Sequence, residues 1–152
     1  MSTVPVVRDQ KTHLQRAVAH KETGDKLREL DDDWFAVCYF YSAYHMVKAA
    51  MHADPIFDDM AACAAIDGAL TIESRFAEHH SGGLGRGGRT LGINEIVFKL
   101  YKSIRVPYTR LHGASIAVRY GAGLDVISPV TVKSDFDAIR AEYTAGRIVS
   151  PR

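Results

Sequence analysis

Long apolar runs are missing from this chain. Its most apolar stretch, Trp34 to Tyr44, falls far short of the roughly 20 residues of a membrane span, and the first residues lack the charged-then-apolar pattern of a secretory leader. The expectation is a soluble, cytoplasmic protein with no membrane partner. Cysteine is scarce as well: Cys38 and Cys63 have no partners at metal-ligand spacing, and both sit in helix-like stretches. They read as small buried apolar groups, as suits a reducing compartment. Net charge is also low, since 19 basic residues against 18 acidic ones leave +1. That excludes the molecule-wide positive field of a strong nonspecific nucleic-acid binder and leaves only a local basic face open. Strands are hard to find, because the best candidate, Val126 to Val132, is broken by Pro129.

What is present reads as helix. With 47% apolar and 24% charged residues over 152 positions, the chain matches one soluble domain, 1–152, that buries roughly two thirds of its unfolded surface. Residues 1–7, with Pro5 between valines, form a short extended tail. From Arg8 to Leu30 the apolar positions Leu14, Ala17, Val18, Leu27 and Leu30 have largely helical spacing, with a possible bend at Gly24. Asp31 to Asp33 marks the start of the next helix, because carboxylates accept the free N–H groups of a first turn and suit its positive dipole end. Along that helix Trp34, Val37, Phe40, Tyr44, Val47 and Met51 recur at steps of three and four, with Phe35, Tyr39, Ala43, Met46 and Ala50 beside them. A helix so widely covered by large side chains is central in its bundle or shared with a second subunit.

After Asp54 and Pro55, residues 56–78 read as one or two further helices. Gly82, Gly83, Gly85, Gly87 and Gly88 make 81–90 a mobile loop that resists regular structure. Gly83, Gly85 and Gly88 fit a dinucleotide-binding pattern formally, but no strand precedes them and no acidic ribose partner follows. Helical spacing resumes at Ile93 and runs to Val118, kinked or split at Pro107. A loop over 121–133 leads to a final helix capped by Ser134 and docked by Phe136, Ile139 and Tyr143. The fold class is all-α, an antiparallel up-and-down bundle of four to six helices.

The stretch Asp33-Trp34-Phe35-Ala36-Val37-Cys38-Tyr39-Phe40-Tyr41-Ser42-Ala43-Tyr44-His45 is similar to a pattern in the second helix of HEPN-like proteins: tryptophan, then phenylalanine-tyrosine-x-alanine-x-histidine. Leu111, Ser115, Arg119 and Tyr120 resemble a helix ending of the same group, so the likeness covers residues 10–121. The resemblance implies a bundle of four or five helices, often a homodimer. It further implies a metal-independent endoribonuclease of toxin-antitoxin or antiviral systems, with an antitoxin as possible partner, or a noncatalytic protein-interaction or nucleotide-binding module. No cofactor and no metal are implied. Active members carry an arginine, usually followed by a polar residue, then a histidine after four to six intervening positions in all.

Three pairs satisfy that bare spacing here: Arg8 with His13, Arg75 with His80, and Arg105 with His112. Phe76 and Val106 stand where the polar residue belongs, and Arg8 lies in the first helix. Helical geometry favours the last pair, since residues seven apart return to within about 20° of one direction whereas five apart diverge by about 140°. Arg105, Tyr108, His112, Ser115 and Arg119 then trace one polar stripe, and Tyr41, His45, Lys48 and His52 trace another on the second helix. If the stripes face each other, His112 can move a proton while Arg105 and Arg119 hold a phosphate. Tyr41, His45, Lys48, Arg86 and Arg89 are the candidate RNA contacts. The plainer readings are that Arg119 satisfies the last carbonyls of its helix and that His45 is a hydrogen-bonded core residue. A metal site of His79, His80, His52 and Asp54 has nothing to hold it together.

Overall fold

The computed structural model describes residues 9–85, 87–121, 123–124 and 127–151, and among them six helices and one hairpin form an all-α bundle. The tail, Arg8, Arg86 and Val126 lie outside the described residues. Helix α1 (Gln10–Glu29) starts where Asp9 Oδ1 accepts the Thr12 N–H at 2.7 Å. It runs through Gly24 without a break. That glycine is a contact rather than a bend: a Cβ there would stand 2.7 Å from the Tyr39 ring.

Tyr39 belongs to α2 (Phe35–Ala53), which packs antiparallel along α1. The pairing shows in three contacts: Tyr39 Oη donates to Asp25 at 2.5 Å, Ser42 Oγ donates to the Ala17 carbonyl at 2.6 Å, and His45 meets His13. Of the acidic triplet, Asp32 accepts the Trp34 N–H at 3.0 Å, while Asp33 reaches across to the Leu124 N–H at 3.2 Å. The helix begins one residue after Trp34, whose indole is half exposed instead of opening the core seam. Both apolar sets of α2 are otherwise buried, apart from the part-exposed Tyr44, with Phe40, Tyr39, Ala43, Val47 and Met51 fully enclosed. The helix is central within its own chain: α1, α5 and α6 all pack on it.

A 3-10 turn (Pro55–Asp58), α3 (Met60–Ile66) and a second 3-10 turn (Ile72–Phe76) follow. The glycine-rich segment is more ordered than its composition suggests. Strands β1 (Gly83–Gly85) and β2 (Gly88–Thr90) pair antiparallel, and Thr90 Oγ1 donates to the Gly83 carbonyl at 3.2 Å. Side chain-to-backbone bonding offsets part of the glycine entropy there.

The break expected at Pro107 falls earlier. Helix α4 (Ile93–Leu100) ends at Tyr101, a 3-10 turn (Lys102–Ile104) intervenes, and α5 (Arg105–Tyr120) carries Pro107 in its first turn. There the missing N–H has no intrahelical partner to lose. Helix α6 (Pro129–Thr144) likewise starts at Pro129 rather than at Ser134, so the preceding loop is shorter than 121–133 and residues 129–132 of the strand candidate are helical. Phe136 and Ile139 dock as expected, with the Phe136 ring stacked 4.4 Å from Tyr39. Among the described residues no helix is long and apolar enough to cross a membrane.

Two glycines give opposite expectations. Alanine is the better helix former by about 1 kcal/mol, yet at Gly24 the clash with Tyr39 outweighs that gain and Gly24→Ala loses about 1–2 kcal/mol. At Gly113, exposed on α5 with nothing within 4 Å of an added Cβ, the same change gains about 1 kcal/mol. Thermal denaturation of both variants reads the two signs.

Candidate functional site

Seven residues of helix bring a side chain back to nearly the same direction, and this spacing occurs on both halves of the α1–α2 pair. His13 and His20 share one face of α1, and His45 and His52 share one face of α2. Antiparallel packing makes the four rings alternate. His52 lies 5.5 Å from His13, His13 lies 5.2 Å from His45, and His45 stacks on His20 at 5.5 Å with an interplanar angle of 4°. His13 Nδ1 and His45 Nδ1 share one proton across 2.9 Å.

The row continues into a second cluster. Tyr44, 5.1 Å from His45, and Tyr41, 6.0 Å from His20, both adjoin His80, at 5.2 and 6.0 Å. His80 in turn stands 5.1 Å from His112 of α5. Six of the seven histidines, all but His79, thus form a single chain of rings across α1, α2, the segment after Phe76, and α5.

Of the residues the sequence singles out, His112, Arg119, Tyr41 and His45 meet in this row. Asn94 Nδ2 lies 3.1 Å from His112 Nδ1, and the His112 ring sits 4.8 Å from Phe40. Arg119 occupies the last turn of α5, as its plainer reading has it, yet its Nη1 donates to Tyr41 Oη at 2.9 Å. His45 is a buried core histidine and a member of the row together.

The other candidates are held elsewhere. Arg105 does not join His112: its guanidinium donates to the Phe98 carbonyl at 3.1 and 2.5 Å and lies 3.8 Å from the Phe98 ring centroid. It stands at the first residue of α5, beside the C-terminal carbonyls of α4 that attract a cation. Lys48 is 1% exposed and donates to the Ala77 carbonyl, so its ammonium closes the core instead of facing a ligand. Arg89 pairs with Asp67, which also takes Lys99 at 3.0 Å. Arg75, which shares the spacing with His80, is bound to Asp58, the Asp54 carbonyl and the Met51 carbonyl. The two polar stripes are hydrogen-bonded to each other at Tyr41 and Arg119, while Lys48 reaches the Ala77 carbonyl and His45 and His52 adjoin His13 of α1.

Motif spacing pairs His13 with Arg8 and His80 with Arg75 rather than with their partners in the row, and it does not reach His20 or Asn94. The repeated seven-residue interval in two neighbouring helices was the available signal for the meeting of His13 and His20 with His45 and His52. The encounter of His80 with Asn94 and His112 had none, because no periodicity links a loop to the helix it touches.

Burial is the main influence on every ring. It pulls His13 down to about 4, helped by the charges of Lys48, His52 and Arg16, and pulls His45 down to about 3, helped by His13, His20 and Arg16. His112 falls to about 4 through burial and then through His80 and Arg119. His20, His52 and His80 are lowered for the same first reason. At neutral pH each is an uncharged imidazole with one donor and one acceptor.

Several buried polar atoms here have no hydrogen-bond partner among the described residues, including His80 Nδ1, Asn94 Oδ1, Tyr108 Oη and Arg119 Nε. Buried polar groups are ordinarily satisfied; His13 Nε2 and His52 Nε2 are unpartnered at the far end of the row, but more of these atoms gather around α4, α5 and His80, which makes this end the better candidate to engage a ligand. Uncharged imidazoles beside a guanidinium are equipped for proton transfer at a phosphate. Among the described residues no three or more histidine, cysteine, aspartate or glutamate side chains are grouped to hold a metal ion. Compared with family models, curated proteins and solved structures, the chain matches none.

Proposed function

We propose that this chain is a HEPN-like nucleic-acid-processing protein, a metal-independent endoribonuclease in which His112 moves a proton and Arg119 holds the phosphate. The observation that carries the reading is the meeting of His112, His80, Tyr41 and Arg119 from three separate parts of the chain. A guanidinium fixed at Tyr41 is pre-aimed, so little side-chain freedom is lost when it takes up an anion. Arg105 is left out of the machinery, since the Phe98 carbonyl holds it. RNA is the substrate on this reading, a second copy of the chain is the expected partner, and an antitoxin-like protein would act by covering the cluster.

A noncatalytic module that binds a protein or a nucleotide is the second reading. It draws on the outward face of α5, where Val106, Ile116 and Tyr120 are exposed around Gly113. Incubation of the purified protein with assorted RNAs in chelator separates the two. Cleavage that His112→Ala lowers by 10²-fold or more, in line with the loss of a proton-transfer group, supports the enzyme. Undiminished cleavage by the variant removes the site assignment, and no cleavage by either favours the module.

A further inference from the structure

We propose that His80 is a second proton-transfer group opposed to His112, and that Asn94 is the residue that positions the pair; the inference rests on the ribonuclease reading above. His80 lies in no helix, so its place depends on what its backbone touches. The start of α4 holds it. The His79 carbonyl accepts the Ile93 N–H at 2.9 Å and the His80 carbonyl accepts the Asn94 N–H at 2.9 Å. Glu95 Oε1 accepts from Gly82 N at 2.6 Å and from Gly92 N at 3.2 Å. The two chains run so close that a Cβ on Gly82 would meet the Thr90 carbonyl and one on Gly92 would stand 2.4 Å from the Ser81 carbonyl carbon. No side chain larger than hydrogen fits either position.

Asn94 thus bonds both histidines, His80 through its backbone and His112 through its side chain at 3.1 Å. The rings sit 5.1 Å apart at 43°, and Phe40 and Tyr44, each 5.2 Å from His80, keep that ring from turning. His80 Nδ1 and Asn94 Oδ1 are both buried without a partner among the described residues. In the form of the pair that carries one added proton, with one ring neutral and the other an imidazolium, the two can act in a single displacement. One ring takes the proton of the ribose 2′-hydroxyl as its oxygen bonds to phosphorus. The bond from phosphorus to the 5′-oxygen breaks with its electron pair, and that oxygen takes a proton from the other ring. A 2′,3′-cyclic phosphate and a 5′-hydroxyl end leave, and exchange with water restores the original protonation.

The test uses the full chain, a short RNA in chelator, and single-turnover rates from pH 4 to 8. Wild type is expected to give a bell-shaped profile whose two apparent values belong to the pair. His80→Gln preserves ring-like bulk and hydrogen bonding but cannot titrate, and it is expected to lower the rate 10²-fold or more and remove one limb of the bell. The double variant with His112→Gln is expected to be about as slow as either alone, because groups that act as a unit are not additive. Asn94→Ala is expected to lower kcat about tenfold with KM little changed and to move the remaining limb. Circular dichroism confirms the fold of each. If wild type cleaves and His80→Gln keeps both its rate and its bell, the inference fails and the ribonuclease reading stands. If wild type cleaves no RNA, both fail.

Discussion

Replacement of Asp54 by alanine is expected to cost about 3–5 kcal/mol, because it leaves several buried hydrogen-bond donors without their acceptor. The carboxylate is 1% exposed and accepts four hydrogen bonds. Oδ1 takes the Ile56 N–H at 3.1 Å and the Ser150 hydroxyl at 3.2 Å, while Oδ2 takes the Tyr101 hydroxyl and the Ser150 N–H, both at 2.9 Å. It therefore ties the end of α2, the break between α4 and α5, and the last described residues to one point. Alanine leaves the enclosed Tyr101 hydroxyl and the Ser150 amide unpaired, and each such group costs about 1–3 kcal/mol. Tyr101→Phe removes a single partner and is expected to cost only about 1 kcal/mol. Urea unfolding curves measure both. An Asp54→Ala protein within 1 kcal/mol of wild type would show that the knot contributes little.

Acid is expected to begin destabilising the protein below pH 6.5, before ordinary carboxylates titrate. His13 and His45 bind protons more weakly in the folded chain, at about 4 and about 3, than at their ordinary 6.5. Above pH 6.5 both states leave these rings uncharged, and stability is unaffected by them. Below it the unfolded chain takes up protons that the folded chain refuses, so stability is lost as pH falls from 6.5 toward 4. One unit of difference is worth about 1.4 kcal/mol, which puts the combined loss at several kcal/mol by pH 4. Asp9 is the acidic group that opposes this at His13, while Lys48, Arg16 and His52 reinforce it. Helical circular dichroism is expected to fall between pH 6 and 4, and the pair of substitutions His13→Leu and His45→Leu is expected to move that transition to lower pH. A helical signal and urea midpoint unchanged from pH 7 to 4 would contradict the account.

The same seam shows how much of the molecule could be read beforehand. The central role of α2 follows from its two adjoining apolar sets, and the helical class follows from periodicity and the lack of alternating runs. Local chemistry leaves several positions open to two outcomes. Pro107 is compatible both with breaking a helix and with opening one, so only the burial of Tyr101 and its bond to Asp54 decides where α4 stops. Gly24 can bend a helix or admit a neighbour, and the approach of Tyr39 selects the second. Arg105 has the right spacing from His112 and Arg119, but the nearer α4 carbonyls claim its guanidinium.

Residue order alone determined that this chain builds a helical bundle around the apolar helix that follows Trp34, and that its histidines recur seven apart along two helices. Those are one-dimensional properties, set by the pitch of the α-helix and the apolar character of its neighbours. Which imidazoles meet was decided in three dimensions. The alternation of α1 and α2 rings depends on the antiparallel offset of two helices, and the encounter of His80 with His112 depends on a loop clamped to the start of α4. Contacts between distant segments depend on packing that no local spacing encodes, which is why the site came together only in the folded chain.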